Sequence, residues 1–82
     1  MIIQTQNTRY TLEDVGDGAW MITGHATYCP TPYKVRLLAE PTVGKAMWFE
    51  YVGDMPDYVR RKHHRHPGVV TSAVVEVING NG

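Results

Sequence analysis

Cysteine is almost missing from this chain. Cys29 is the only one in 82 residues, so an intrachain disulfide is excluded. One unpaired thiol argues against a disulfide-stapled secreted scaffold and fits a reducing compartment. Net charge is missing too, because eight basic residues are matched by eight acidic ones. A domain-wide positive field is therefore absent, which counts against a strong generic nucleic-acid binder. Near-zero charge also removes a safeguard against self-association. No apolar run approaches the ~20 residues needed to span a bilayer. Met1 to Gln6 has no basic stretch followed by a long apolar core, so no signal peptide is expected and the cytoplasm is the expected location. Gly16-Asp17-Gly18 is a turn signal rather than a phosphate-binding loop. No Cys-x-x-Cys pair is present for zinc. The chain holds one phenylalanine against five tyrosines and two tryptophans, so Tyr and Trp must fill core space.

What is present is alternation. Tyr10 and Leu12 oppose Thr11 and Glu13, the two-residue period of a strand with one wet face. Gly16-Asp17-Gly18 then returns the chain into Ala19 to Thr23, with Trp20 and Ile22 on one face, so residues 10 to 23 form a hairpin. Ile2 to Gln6 reads as an edge strand. Pro30 and Pro32 keep residues 24 to 32 irregular. Tyr33 to Glu40 alternates again, with Val35, Leu37 and Ala39 inward and Leu38 an apolar exception on the outer side. In Ala46 to Val52, Glu50 marks the solvent face, which places Met47, Phe49 and Tyr51 inward and Trp48 outward. Val69 to Ile78 closes the fold, as one strand or as two joined at Ser72-Ala73-Val74, with Val75 and Val77 inward and Glu76 outward.

Gly53 to Gly68 is the one place for a helix. Asp54 is expected as its N-cap, Pro56 and Asp57 in its first turn, and Pro67-Gly68 as its stop. Acidic residues begin it and basic residues end it, which suits the helix dipole. Met55, Tyr58, Val59 and Lys62 form a narrow stripe by which it docks. An irregular basic loop is the alternative. The expected architecture is one mainly β domain over residues 1–78 with a flexible tail at 79–82. It is a small antiparallel SH3-like barrel of five to six strands, with a short helix or loop inserted at about 54–66. An oligonucleotide-binding-type barrel is the runner-up.

Met1-Ile2-Ile3-Gln4-Thr5-Gln6-Asn7-Thr8-Arg9-Tyr10, Pro30-Thr31-Pro32 and Val70-Thr71-Ser72-Ala73-Val74-Val75 resemble small proteins encoded by actinobacterial phages and their prophages. The resemblance covers the two ends and one Pro-rich turn. Those proteins often carry Pro where this chain has Ala73. It implies a small cytosolic β domain, in the host cytoplasm if phage-encoded, and it implies no activity. Gly53 to Gly68 looks like an insertion relative to them.

Four of the eight basic residues fall in Arg60-Arg61-Lys62-His63-His64-Arg65-His66. Arg60, Arg61, Lys62 and Arg65, with Trp48 and Tyr58, are the candidate binding residues. A basic patch beside aromatics suits an acidic protein partner, and Tyr28, Tyr33, Trp48 and Tyr51 would supply a peptide-binding surface, with about half of these aromatics expected in the core. Phosphates are the second candidate, with binding that weakens steeply in salt. A solvated charge run is the simpler reading of the same residues. A self-associating structural or assembly subunit, pairing through Val69 to Ile78, is the third. His25, Cys29, His63 and His66 are of metal-ligand type, but solvated histidines explain them more simply, and no metal or cofactor is expected. Cys29 with a histidine would be a nucleophile–base pair, yet nothing near it in sequence stabilises a thiolate. Asp54 and Asp57 are spaced for acid–base work but are explained by capping. No enzyme activity is expected.

Overall fold

The computed structural model describes residues 1–62 and 68–78. Six strands run in sequence order: β1 (Ile2–Thr5), β2 (Arg9–Gly16), β3 (Ala19–Thr23), β4 (Tyr33–Leu37), β5 (Ala46–Tyr51) and β6 (Gly68–Ile78), with helix α1 (Asp57–Lys62) between β5 and β6. Each strand pairs antiparallel with the next, and β6 returns to pair with β1, so the sheet is a closed barrel. The expected mainly β, small SH3-like barrel is the observed fold. In such a meander the connections alternate between the two ends. The β1–β2, β3–β4 and β5–β6 connections share the end that carries α1. The β2–β3 turn and the β4–β5 connection share the other.

The alternation read from β2 and β5 holds. Tyr10, Leu12, Met47, Phe49 and Tyr51 are buried, and Trp48 faces outward. With Ile3, Ile22, Val35, Val69 and Val74 they form the core. A fully buried aliphatic or aromatic side chain contributes roughly 1.5–3 kcal/mol, so this small set carries most of the fold's stability. Trp20 packs against the core but stays half-buried, because β3 places it near the end of the barrel.

β6 departs from simple alternation. It is one continuous 11-residue strand, not two joined by a turn. Its first part pairs with β5 from Gly68 to Ala73 and its second with β1 from Val74 to Ile78. The register slips on both sides. Opposite β5, the step from Ala46 to Trp48 is matched by Ala73 to Val70, one residue longer on β6. There the Met47 amide donates to Thr71 Oγ1 at 3.0 Å. Opposite β1, Thr5 and Gln4 face Val74 and Glu76, leaving Val75 unmatched. Val74 is therefore inward and Val75 exposed, the reverse of the expectation for Val75, while Val77 does pack on the core. Two extra residues bend and twist β6 enough to bridge from β5 to β1.

Two further expectations change. β1 is no edge strand, since β2 and β6 flank it, and β6 offers no pairing edge either. Closure removes the unpaired backbone groups that an edge would present. β4 ends at Leu37 rather than Glu40, and Ala39 is exposed.

Candidate functional site

The outer face of β4–β5–β6 carries the most prominent exposed apolar residues around an aromatic. Trp48 keeps half of its surface in water, and its cross-strand partner Val70 keeps 66%. On the other side the Leu38 amide donates to the Trp48 carbonyl at 2.9 Å, which extends the β4–β5 register past Leu37. Leu38 is itself exposed, so Leu38, Trp48 and Val70 make one row across three strands. Gly68 lets the indole lie down. A Cβ there would sit 3.3 Å from Trp48 Nε1, so a side chain would press the ring away from the sheet. In the neighbouring row Arg36 faces Glu50, which faces Gly68.

α1 starts at Asp57, and that start is built differently from the expectation. The first helical bond runs from the Arg60 amide to the Pro56 carbonyl at 3.0 Å, and Pro56 is buried. Asp54 is not the N-cap. Its carboxylate instead pairs with the Arg60 guanidinium at 2.9 Å. Arg60 also reaches the Met55 carbonyl at 3.5 Å. The reason is reach: two residues, Met55 and Pro56, separate Asp54 from the helix, and the long Arg60 side chain folds back over that gap. Val59 is fully buried and Met55 packs on the core, so the docking stripe holds for those two residues. Tyr58 is partly exposed, with its ring edge-to-face on Tyr28 at 5.9 Å. Arg61 is exposed and Lys62 is the last described residue of α1. His63, His64, Arg65 and His66 lie outside the described residues, and with them part of the expected basic face and of the weak metal set.

A relay of rings ties α1 to the barrel. Phe49 meets Tyr10 at 6.4 Å, Tyr10 stacks on His25 at 6.3 Å, His25 meets Tyr28 at 4.7 Å, and Tyr28 meets Tyr58. His25 is also the acceptor that shapes its own turn. Its Nδ1 takes the Thr27 amide at 3.0 Å and the Tyr28 amide at 3.2 Å. The Gly24 and Cys29 backbones close the turn: the Gly24 amide donates to the Cys29 carbonyl and the Cys29 amide to the His25 carbonyl. Gly24 is required here. A Cβ would lie 2.3 Å from the Arg9 carbonyl oxygen, and its φ of +127° is one that other residues rarely adopt.

This network bears on the other candidates. Cys29 is completely buried, and burial pushes its thiol up, away from the reactive thiolate. His25 spends Nδ1 on backbone amides, and among the described residues no cluster of three ligand-type side chains could hold a metal ion. Tyr51 belongs to the core rather than to a peptide-binding surface: its hydroxyl donates to the Tyr28 carbonyl, and burial together with nearby Cys29 pushes its phenol up. Tyr28 and Tyr33 are half-buried against the core. Burial likewise pushes the Tyr10 phenol up to about 12.

Of the expected binding residues, the structure leaves Trp48, Tyr58, Arg60 and Arg61 on the surface. Trp48 lies against β6 through Gly68, whereas Tyr58 belongs to the ring relay. Sequence reasoning missed Val70 and Leu38 as partners of Trp48. The signal for Leu38 was its break in the β4 alternation; Val70 needed the register. It also missed an open cavity of about 430 Å³ at the end away from α1, lined by Trp20, Leu37, Leu38, Glu40 and Pro41 among others. The chain matches no protein-family model, no curated protein and no solved structure.

Proposed function

We propose that this chain is a non-enzymatic binding module whose first partner is a protein. Its contact surface is the row Leu38, Trp48 and Val70, and the exposed Arg60 and Arg61 on α1 are its basic candidates. The single observation that carries this reading is Trp48, a large aromatic held half-exposed on rigid strands beside exposed Val70. Tryptophan and arginine are the residue types most often found to dominate interface energies. An exposed apolar group at a fixed position costs solubility, and contact with a partner is what would offset that cost. An acidic partner suits the exposed guanidinium of Arg61, while Arg60 is already matched by Asp54. The same match weakens the nucleic-acid reading, which needs several free cations along a groove. Self-association by strand pairing is disfavoured, because the sheet is closed. We assign the module to the cytoplasm, consistent with its buried free thiol, and keep the phage-type origin as part of the proposal.

The test is capture from host lysate with and without nuclease. Trp48→Ala, and separately Arg60→Ala with Arg61→Ala, should lose a nuclease-resistant partner while melting within a few degrees of wild type, because surface changes seldom exceed ~0.5 kcal/mol. A partner released by nuclease would transfer the site to nucleic acid. Unfolding of the double arginine variant would show that those side chains hold α1 in place instead.

A further inference from the structure

The end of the barrel away from α1 holds a cavity that shares only Leu38 with the proposed protein-binding row. It lies between Gly18 in the β2–β3 turn and the chain leaving β4, and Met1, Trp20, Leu37, Leu38, Glu40 and Pro41 line it. At about 430 Å³ it falls in the range of small-ligand pockets. The walls are mainly apolar, and the half-buried Trp20 is the aromatic among them. Glu40 is the one carboxylate in the lining, and it is exposed.

More carboxylates gather at this end. Asp17 adjoins Gly18, and Asp14 is the cross-strand partner of Trp20. Met1 also lines the cavity, and its positive group is held by the chain itself. The Met1 ammonium donates to the Leu12 carbonyl at 2.8 Å. Arg36 stands opposite Glu50 in the β4–β5 register, and Lys45 lies where the β4–β5 connection enters β5. An indole face attracts a cation through its quadrupole, and a carboxylate at the rim adds a direct charge–charge contact. Apolar walls would take up a hydrocarbon stem, as Lys and Arg stems are taken up on protein surfaces.

We infer that the Trp20–Glu40 cavity is a binding site for an organic cation on an apolar stem, an alkylammonium or a guanidinium. It shares Leu38 with the outer row and uses neither Trp48 nor Val70. A neutral group of the same shape would gain the stem contacts and lose both electrostatic ones.

The test is an NMR titration of the intact protein, reading the Trp20 indole N–H, with three probes: butylammonium, N-acetyl-lysine N-methylamide and the neutral N-acetyl-norleucine N-methylamide. Both cations should give a saturable shift, and norleucine should bind at least tenfold more weakly. Glu40→Gln should weaken the cations about tenfold, which corresponds to about 1.4 kcal/mol, and leave norleucine unchanged. Trp20→Phe should retain reduced binding, and Trp48→Ala should change nothing. If lysine amide exceeds butylammonium, the ligand is a protein side chain; if they are equal, a free amine suffices. Equal binding of norleucine, insensitivity to Glu40→Gln in a protein with wild-type melting, or no saturable shift with either cation would overturn the assignment.

Discussion

At the end of the barrel that carries α1, the connections are spent on one another. His25 takes two backbone amides of its own turn, Tyr51 donates to Tyr28, Tyr28 meets Tyr58, and Asp54 pairs with Arg60. At the opposite end, Trp20 and Glu40 line an open cavity beside the β2–β3 turn and the β4–β5 connection. The α1 end has links at residues 6–8, 24–32 and 52–67, the last two the longest in the chain, against 17–18 and 38–45 at the other. The difference is that, among the described residues, the first end joins many of its polar and aromatic groups to one another, while the other leaves a half-buried indole and an exposed carboxylate at a cavity. The lesson concerns where to look for function in a small barrel. The aromatic-rich end attracts attention in the sequence, yet among the described residues its rings, His25 and Asp54 are engaged in holding the chain together, while Arg61 is exposed. The sparser end, and the Trp48 row on the outer face, are what the fold leaves over.

This contrast breaks first at Gly24. Gly24→Ala forces a Cβ onto the Arg9 carbonyl oxygen and an unfavourable φ onto alanine. A loss of roughly 3 kcal/mol or outright failure to fold is expected in chemical denaturation, against the smaller cost of an ordinary exposed turn substitution. Near-wild-type stability would mean that the β1–β2 and β3–β4 connections do not lock together.

Alkaline titration probes the same end with a smaller effect. Tyr10 is pushed from its ordinary value near 10 up to about 12, and Tyr51 is pushed up as well, both chiefly by burial. Unfolded tyrosines lose their protons first, so the unfolded state binds fewer protons above pH 10. Their contribution to stability is therefore complete below pH 10 and declines as pH rises toward 12. Melting followed across that window should show a steady fall, with tyrosinate absorbance appearing together with unfolding. Tyrosinate formation in a still-folded barrel, complete near pH 10, would show the relay to be open to solvent.

The smallest effect belongs to the Asp54–Arg60 pair. Both side chains are well exposed, so Asp54→Ala should cost no more than about 1 kcal/mol, and less in high salt. A larger loss would place that pair among the contacts that hold α1 on the barrel, beside Val59.

Much of the architecture is legible in the residues. The inward set of β5 follows from Glu50, the β2–β3 hairpin from Gly16-Asp17-Gly18, and the docking of the helix through Met55 and Val59 from their spacing. The errors share a cause. Strict alternation places Val75 inward, but β6 contains extra residues, and a bulge leaves no mark in composition. Asp54 was assigned as a cap because its distance from the helix start was not fixed by sequence. Tyr51 was counted as surface as well as core because a tyrosine serves either place, and only its hydroxyl's partner on Tyr28 settles which. In the candidate site, Trp48 was found by alternation, but its companions Val70 and Leu38 lie 22 and 10 residues away in the chain. Trp20 was read simply as an inward residue, since nothing local says that the strand ends before the ring is covered.

The sequence by itself determined a small mainly β fold, its turns, and which residues of β2 and β5 face inward, because these depend on period-two patterning and on local backbone preferences. Only the tertiary structure decided that the sheet closes, that β6 bends across to β1, and which aromatics are left uncovered. Those outcomes depend on register between strands far apart in the chain, and a shift of one residue would turn each side chain to the other face.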